Sequence, residues 1–531
     1  MPKKSIPYSK TGYFSKLICD YLAENESLHS FYHRFPKIEN FKLQLEEKKD
    51  RYSMDSRRVL VERLKIQYEG FETSEATTLN IEALLEPHTF TITTGHQLNL
   101  FTGPLYFLYK IFSVINLVEN LNKKYADHQF VPVYWMATED HDLDEINYFN
   151  LFGEKIIWDK EAGGAVGELS NDGLEEVLNT FKAALGDTEN AKKLGGLFED
   201  AYTKHSNLAE ATRYLGNQLF SEYGLVIIDG NDPILKKAFI PYVHKELKEN
   251  LSFRKISDTT ARIVALGYKA QVNPREINLF YLNKGIRERL IEKEGRYLVN
   301  DTERIFTSSE ISAELLDHPE RFSPNALLRP LYQEVILPNL CYIGGGGELA
   351  YWFQLKDYFK EIKIPFPILL LRNSALLVSE KKLAKLKKLN TETESLFLKT
   401  SDLSDRLTHQ LSEIKIDFSS QRDHLHRQFM DMYEIAKKTD ASFLGAVAAQ
   451  EKKQMNGLNN LERRLLKAQK RKIKDQLERL VKIQDRLFPN KSLQERSMNF
   501  SEFYLTYGND LFLELKENLD PLDTNFSIIT M

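Results

Sequence analysis

Cysteine is nearly absent from this chain of 531 residues, which has only Cys19 and Cys341. Two cysteines exclude a disulfide framework and a cysteine-rich zinc ribbon. Long apolar runs are also lacking, since no stretch approaches the roughly 20 apolar residues of a membrane helix. The N-terminal lysines are not followed by the apolar run of a secretory signal. The sequence therefore favours a cytoplasmic protein without a membrane partner.

An excess of either charge is lacking as well. Lys and Arg total 72 against 76 Asp and Glu, a net charge of −4, so the overall charge gives no reason to expect nucleic acid. Residues 451–486 are locally basic without aromatic side chains, which is more typical of a solvated helix face than of a nucleic-acid site. What is present is an ordinary globular composition, long enough for two to four domains.

Five short apolar segments have the character of buried strands, with helical periods between most of them. They lie at residues 90–94, 130–136, 225–229, 340–343 and 366–371. Each ends in a polar or glycine-bearing loop. Consecutive parallel strands joined by a helix place their loops at one edge of the sheet. The sequence therefore predicts an α/β fold with a parallel sheet and a ligand site at that edge.

Composition and periodicity divide the rest of the chain. The predicted parts are a helical segment at 1–88, the α/β core at 89–378 with insertions near 151–223 (helical) and 268–300 (antiparallel strands), a helical domain at 379–490, and a helical tail at 491–531 that returns to the core. Apolar residues spaced by seven predict a coiled coil or a long helical hairpin in the helical domain. They are Leu466, Ile473, Leu480 and Leu487.

The loop after the first strand is the first candidate site. It precedes a helix whose first turn we expect to contain Pro104. A strand that delivers a glycine-bearing loop to a helix N-terminus is a common anion and nucleotide site, and a plain βα turn is the alternative. The candidate residues are Gly95, His96, Gln97, Thr102, Gly103 and Lys110.

The loop after the second strand, EDHDLDE at 139–145, packs five carboxylates and one histidine into seven residues. Like charges this close cost free energy unless a cation, a metal or hydrogen-bond donors compensate them. The loop could orient Mg²⁺, accept from a substrate amine or supply a general base, and an acid-rich helix N-terminus is the alternative. No close pair has structural-zinc spacing, so a metal site stays open. The candidates are Glu139, Asp140, His141, Asp142 and Asp144.

A glycine run at 344–347, followed by Glu348, would allow a ligand close to the backbone. The run lacks the lysine and hydroxyl of a P-loop. Cys341 just before it is more typical of a buried strand thiol than of a nucleophile. Arg329 and Gln333 lie four apart on one predicted helix face, where they can hold a carboxylate.

Ten short motifs follow one another along the chain: TGHQ at 94, LFTGPLY at 100, VPVYW at 131, EDHD at 139, DEI at 144, SPN at 323, LRP at 328, YIGG at 342, GELAYW at 347 and QER at 494. Together they resemble the cysteine ligase family of bacillithiol biosynthesis, and the likeness spans essentially the whole chain. Two positions depart from the family pattern. His96 stands where many members have Gln, and Gly346 where many have Pro.

The resemblance implies a Rossmann-like catalytic core with inserted connective segments and a C-terminal α-helical coiled coil that pairs two subunits into a homodimer. It implies the last step of bacillithiol synthesis, which joins the carboxyl of L-cysteine to the amine of glucosaminyl-malate. The core is similar in kind to class I aminoacyl-tRNA synthetases, so ATP or another nucleotide is expected, with Mg²⁺. No close KMSKS and no zinc-binding cysteine set is evident, so neither ATP nor zinc is secured by the sequence.

Residue roles follow from the resemblance and from the chemistry above. Catalytic roles are expected of His96, Asp140, His141 and Asp142. Substrate contacts are expected of Gln97, Glu139, Asp144, Asn325, Arg329, Tyr342, Glu348, Trp352 and Arg372. Nucleotide contacts are expected of Gly95, Thr102, Gly103, Lys110, Gly344, Gly345 and Gly347.

Two other functions stay open. The same loops could serve a nucleotide-sugar or phosphosugar transferase. The chain could also be a non-catalytic nucleotide-binding scaffold of the pathway. In that case the acidic and glycine loops would tolerate substitution, while the apolar residues spaced by seven from Leu466 to Leu487 would not. The sequence leaves undetermined whether ATP is consumed, whether a metal takes part, which residue is the general base, and how two subunits pair.

Overall fold

The computed structural model describes residues 4–161 and 163–531. These residues form two compact units. The larger one, called the core unit, contains residues 4–9, 13–376 and 492–529. The smaller one, called the helical unit, contains residues 10–12, 377–491 and 530–531.

Strands and helices make up most of both units. The strands are β1 (Lys4–Pro7), β2 (Thr89–His96), β3 (Gln129–Met136), β4 (Tyr148–Leu151), β5 (Glu154–Ile157), β6 (Val226–Asp229), β7 (Leu279–Asn283), β8 (Ile286–Lys293), β9 (Arg296–Val299), β10 (Ile305–Thr307), β11 (Phe322–Pro324), β12 (Asn339–Gly344), β13 (Ile368–Leu371), β14 (Ala375–Val378) and β15 (Asn525–Thr530). The helices are α1 (Tyr8–Thr11), α2 (Lys16–Leu22), α3 (Asn40–Lys49), α4 (Met54–Gln67), α5 (Glu75–Ala83), α6 (Tyr106–Lys124), α7 (Leu174–Leu185), α8 (Glu189–Thr203), α9 (Leu208–Phe220), α10 (Pro233–Lys237), α11 (Ile240–Glu249), α12 (Leu251–Ala265), α13 (Ser308–Asp317), α14 (Arg329–Ile336), α15 (Gly346–Gln354), α16 (Lys356–Ile362), α17 (Glu380–Lys388), α18 (Thr400–Leu411), α19 (Ser419–Ala436), α20 (Ala441–Lys472), α21 (Lys474–Leu487), α22 (Gln494–Ser497), α23 (Ser501–Tyr507) and α24 (Asp510–Asn518).

A parallel five-stranded sheet forms the centre of the core unit, with the strand order β13-β12-β2-β3-β6. All five predicted strands are in it. The middle strand β2 is buried along its whole length, as expected of a parallel strand covered by helices on both faces. The carboxyl ends of β2, β3 and β12 lie side by side, which brings their loops together. The predicted α/β fold with a parallel sheet is confirmed.

The insertions contain more strand than predicted. The hairpin β4–β5 is antiparallel and precedes the helices α7, α8 and α9. A second sheet, entirely antiparallel, has the order β10-β9-β8-β7-β11. Its last member β11 leads into the loop that holds Asn325, so this sheet borders the loops of the central sheet.

The two ends of the chain correct the prediction of an entirely helical N-terminal segment and of a helical tail. β1 pairs antiparallel with β15, with Lys4 opposite Ile528 and Pro7 opposite Asn525. Each segment is too short to show a period of its own. Because the pairing partner lies at the other end of the chain, only the tertiary structure makes these residues strands.

Helix α6 also begins later than predicted. Its N-cap is Leu105, so Pro104 lies outside the first turn. Before it, Phe101 (φ 45°) and Thr102 (φ 67°) adopt left-handed backbone conformations. The Phe101 N–H donates to the Tyr202 hydroxyl at 2.7 Å, and the Leu105 N–H donates to the Met498 carbonyl at 2.7 Å. These tertiary hydrogen bonds, absent from any local pattern, shape the loop.

In the helical unit, α19 and α20 form an antiparallel hairpin, tied by Arg422 to Glu462 at 2.8 Å and by His426 to Glu451 at 2.7 Å. The row of apolar residues spaced by seven is interrupted at Ile473, which lies between α20 and α21. Beyond the break its leucines are fully buried, and α18 packs on α21. In the part of the chain that the structure describes, no helix has the length and apolar character needed to cross a bilayer.

Candidate functional site

A cavity of about 990 Å³ lies in the core unit where the loops after β2, β3 and β12 meet. Four residues from distant parts of the chain, predicted to converge, all line it: His96, Asp140, Asn325 and Gly345. The other predicted site residues that line it are Gly95, Gln97, Gly103, Lys110, Glu139, His141, Arg329, Tyr342, Gly347, Glu348 and Arg372. The separate loops therefore form one site.

Five predicted site residues do not line the cavity. Trp352 is fully buried and packs on the Tyr342 ring, with 4.8 Å between ring centroids. Asp142 and Asp144 are exposed on the far part of their loop. Thr102 lies beside Gly103, and Gly344 is the last residue of β12; both are buried. These five residues are therefore not part of the cavity wall.

Arg329 lines the cavity, and one of its buried nitrogens has no hydrogen-bond partner. Its Nη1 donates to Gln333 Oε1 at 3.0 Å, as the predicted helix face suggested. The guanidinium lies over the Trp135 and Tyr342 rings, 6.0 and 5.4 Å from their centroids. Its Nη2 is buried without a hydrogen-bond partner. A buried charged donor without an acceptor costs about 1–3 kcal/mol, so this nitrogen suits an anionic ligand.

Arg372 has the same property. Its Nη2 donates to the fully buried Glu495 at 2.8 Å, and its Nη1 donates to Ser374 Oγ at 3.0 Å. Burial would lower the pKa of Arg372, but Glu495 raises it, so the guanidinium is charged. Its Nε is buried without a partner. We call Arg329 and Arg372 the arginine cluster.

Lys110, like Arg372, has its charge paired with a carboxylate, but its single nitrogen is not left without a hydrogen-bond partner. Its Nζ donates to the Gly95 carbonyl at 2.6 Å and pairs with Glu348 Oε2 at 2.7 Å. Glu348 also accepts from the Tyr342 hydroxyl at 2.6 Å and from the Gly345 N–H at 2.8 Å. Burial would raise the pKa of Glu348, but Lys110 and these hydrogen bonds lower it. Lys110 thus ties the end of β2 to the N-terminus of α15.

His96 is buried against Phe107 and Tyr106, with ring centroids 4.8 and 5.5 Å away. Burial, and then the positive charge of Lys110, lower the pKa of His96 to about 3. Its Nε2 has no hydrogen-bond partner. The imidazole is therefore neutral at physiological pH. It can form a hydrogen bond with a ligand, but it is too weak a base to take a proton efficiently near pH 7.

Asp140 and Glu145 form what we call the acidic cluster. Gln97 Nε2 bridges them, donating to Asp140 Oδ2 and to Glu145 Oε2, both at 3.0 Å. Burial would raise the pKa of Asp140, but the neighbouring His141, whose backbone N–H donates to Oδ1 at 2.8 Å, the Gln97 amide and the charge of Arg287 lower it well below its usual value. An ionised carboxylate therefore borders the cavity.

Two predicted substrate residues chiefly hold the frame of the site. Glu139 forms an ion pair with the buried Lys236, which compensates its charge internally. Asn325 Oδ1 accepts from the N–H of Leu327 at 2.9 Å, and its carbonyl accepts from the N–H of Arg329 at 2.8 Å. Asn325 thereby sets the start of α14 and the place of Arg329.

Sequence reasoning missed the wall supplied by the antiparallel sheet. Arg287 in β8 lines the cavity and donates from Nη1 to His141 Nδ1 at 2.7 Å. Its guanidinium lies 4.0 Å from the centroid of the Phe280 ring. An arginine followed by other charged residues in a strand has the pattern of a solvent-facing residue, so no local signal was available.

The C-terminal tail forms another unpredicted wall. Arg496, Ser497 and Met498 line the cavity. Asn499 Nδ2 donates to the carbonyls of Phe101 at 2.9 Å and Gly103 at 2.6 Å, which fastens the tail to the loop after β2. The QER motif at 494–496 was the one available sequence signal.

Among the residues that the structure describes, no group of three or more His, Cys, Asp and Glu side chains is arranged to hold a metal ion. Neither Mg²⁺ nor zinc thus has a site built from three such side chains in this part of the chain. Cys341 is fully buried, and burial raises the pKa of its thiol far above the usual value, which disfavours the nucleophilic thiolate.

Comparison with known families accounts for both units. Residues 1–373 match the family described as bacillithiol biosynthesis BshC, N-terminal Rossmann-like domain, and residues 375–531 match the BshC C-terminal coiled-coil domain. The chain belongs to the BshC family. The resemblance inferred from the motifs is thereby confirmed, and so is the Rossmann-like core followed by a coiled coil.

Curated BshC relatives match over most or all of their length. The protein from Christiangramia forsetii is 55% identical over 100% of this chain and 99% of its own. That from Flavobacterium johnsoniae is 54% identical over 100% of both, and that from Bacillus cereus (strain B4264) is 28% identical over 97% and 98%. All three are named "Putative cysteine ligase BshC". A solved structure titled "Crystal structure of putative arginyl t-RNA synthetase from Campylobacter jejuni" shares 11% identity over 83% of this chain and 95% of its own, and its TM-score of 0.22 carries no information about the fold.

Proposed function

We propose that this BshC-family chain joins the carboxyl of L-cysteine to the amine of glucosaminyl-malate, the last step of bacillithiol synthesis. Full-length relatives named as cysteine ligases support the reaction class. The observation that carries the proposal is that one cavity holds both the ionised Asp140 and the unpaired nitrogens of the arginine cluster. L-cysteine and glucosaminyl-malate each bear an amine and at least one carboxylate. Both therefore suit a cavity that is lined by negatively and positively charged side chains.

Arg329 is the residue we assign to the malyl group. Gln333 holds its Nη1, and its Nη2 has no partner. The planar guanidinium matches the geometry of a carboxylate. Asp140 and Glu145 are assigned to the cationic amines, which they can hold as charged acceptors. A hydrogen bond between charged groups contributes about 1.5–3 kcal/mol, so each contact accounts for roughly 10- to 100-fold in affinity.

A free carboxylate does not acylate an amine unaided, so we propose ATP as the activating co-substrate. The side chains fit its phosphates: Arg372 Nε is an unpaired buried donor, and a side chain added at Gly345 would lie 3.8 Å from it. Gly346 and Gly347 line the cavity in the first turn of α15, where helix N–H groups have no internal acceptor. ATP, when bound, would supply the group that activates the cysteine carboxyl. His96 is a neutral hydrogen-bonding group beside this position.

We also propose a homodimer formed through the helical unit, in the cytoplasm, where nucleotide and free cysteine are available. Large apolar side chains on α19 and α20 are exposed: Ile435 is 61% exposed, Phe443 47% and Leu461 51%. Large apolar side chains that stay exposed on these helices can be buried against a second copy of the chain. Light scattering at several protein concentrations should give the mass of two chains, and Phe443→Glu should shift it toward one.

The decisive experiment is reconstitution with purified protein. L-cysteine, glucosaminyl-malate and ATP should give a product whose mass is the sum of the first two less one water, and AMP or ADP should appear in equal amount. Arg329→Gln should raise KM for glucosaminyl-malate about 10- to 100-fold, with a smaller effect on kcat. No condensed product with all three substrates present would refute the proposed reaction. Equal product without nucleotide would refute the proposed activation.

A further inference from the structure

We propose that Arg287 is a positioning residue that fixes His141 as a hydrogen-bond donor toward the substrate, through its Nε2–H. This inference rests on the proposed function, since it assigns His141 a role in that reaction. It also assigns part of the site to the antiparallel sheet, which lies outside the central parallel sheet.

Arg287 is packed and hydrogen-bonded within the antiparallel sheet. It is 8% exposed, although it lies in a strand whose neighbouring side chains are more open. Its Nε donates to Ser323 Oγ at 3.4 Å, and its guanidinium lies over the Phe280 ring at 4.0 Å. The Phe280 ring also packs against the His141 ring, with 5.5 Å between centroids. Ser323 and Phe280 come from β11 and β7, so three strands of one sheet orient this guanidinium.

The contact between Arg287 and His141 determines where the imidazole proton is. A guanidinium has donors and no acceptor. Arg287 Nη1 lies 2.7 Å from His141 Nδ1, so Nδ1 must be the acceptor. A neutral imidazole whose Nδ1 accepts carries its proton on Nε2. Within the described residues, Nε2 of His141 has no hydrogen-bond partner, which leaves this donor for a ligand.

Without Arg287 the other tautomer would be favoured. Asp140 Oδ1 lies 3.5 Å from His141 Nδ1, close enough for an Nδ1–H to turn toward it. That arrangement would make Nε2 an acceptor and a candidate general base. Arg287 occupies Nδ1 and lies 4.0 Å from the same Asp140 oxygen. The two loop residues thus receive separate roles, with His141 donating to a substrate oxygen and Asp140 accepting from the amine.

The tautomer can be measured without substrate. Full-length protein labelled with ¹⁵N-histidine should show His141, assigned by its loss in His141→Asn, with an unprotonated Nδ1 and a protonated Nε2 at a pH where the ring is neutral. Arg287→Gln should shift the ring toward the Nδ1–H form, and Arg287→Lys, which keeps a charged donor, should largely restore it. Arg289→Gln is the matched control, two residues along the same strand and outside the cavity lining, and should change nothing.

Activity then separates a donor from a base. His141→Gln keeps an amide donor that cannot take a proton, so its kcat should stay within about 10-fold of wild type. His141→Ala removes the donor, and its kcat should fall about 10-fold further. If His141 were the base, both variants should fall together by about 100-fold or more, which would overturn the inference. An Nδ1–H pattern in the wild type, or an unchanged tautomer in a folded Arg287→Gln, would overturn it as well. Because the tautomer is read without turnover, an inactive wild type would count only against the proposed reaction.

Discussion

Lowering the pH from 7 to 5 should destabilise the core unit, and His96 should account for a defined part of the loss. Burial and Lys110 lower the pKa of His96 to about 3 in the folded protein, whereas an unfolded chain has the ordinary value of about 6.5. Between these values the unfolded chain binds more protons, so the free energy of unfolding rises with pH. The contribution of His96 is complete above about pH 6.5 and is lost as the pH falls toward 3.

The size of the effect follows from the unfolded chain. At pH 5 nearly all unfolded molecules carry the His96 proton, while nearly all folded ones do not. The difference relative to pH 7 is about 2 kcal/mol. Any folded-state pKa well below 5 gives the same figure, because the loss is then set by the pH and the unfolded pKa alone.

Tryptophan fluorescence isolates the unfolding of the core unit. The three tryptophans, Trp135, Trp158 and Trp352, all lie in that unit and are at most 2% exposed. Urea unfolding at pH 7 and pH 5 should show that His96→Gln loses about 2 kcal/mol less than wild type. His29→Gln, an exposed histidine of the same unit, should behave as wild type. The reasoning fails if His96→Gln and wild type lose the same stability over this range.

Three further changes test the packing. Glu495→Gln leaves the Arg372 charge without its buried partner, so fluorescence-detected urea unfolding should show a loss of about 3–5 kcal/mol; an unchanged midpoint would contradict the ion pair. Gly103→Ala places a Cβ 2.5 Å from a neighbouring side-chain carbon at φ 62°, so the thermal midpoint should fall by the equivalent of at least about 1 kcal/mol; an equal midpoint would show that the loop relaxes. Leu480→Ala, at a fully buried position, should weaken amide-exchange protection in the helical unit by about 2–5 kcal/mol, whereas the half-exposed Leu461→Ala should stay within about 0.5 kcal/mol; equal effects would contradict the observed burial.

Local pattern was enough to predict the central sheet and the place of the site. The five strands of that sheet are short apolar runs that end in polar or glycine loops, and this signal is contained in each segment. Once the strands are parallel, their loops must meet at one edge. The convergence of His96, Asp140 and Gly345 on one cavity is therefore a consequence of strand order, which the sequence pattern predicts.

Residue chemistry within the site was less predictable. Lys110 was expected to contact phosphate, but Glu348 already pairs with it. His96 was expected as a catalytic group, but its burial keeps it neutral. Both outcomes depend on which charges lie within a few ångströms in the folded state, and sequence spacing does not contain that information.

By itself, the sequence determined the parallel sheet, the family and the edge where ligands meet the protein, because each is encoded in contiguous residues. Only the tertiary structure decided that β1 pairs with β15, that Arg287 bonds His141, and that Arg329 and Arg372 retain unpaired nitrogens. Those features join segments far apart in the chain. Their free energy comes from burial and partner geometry, which exist only after folding.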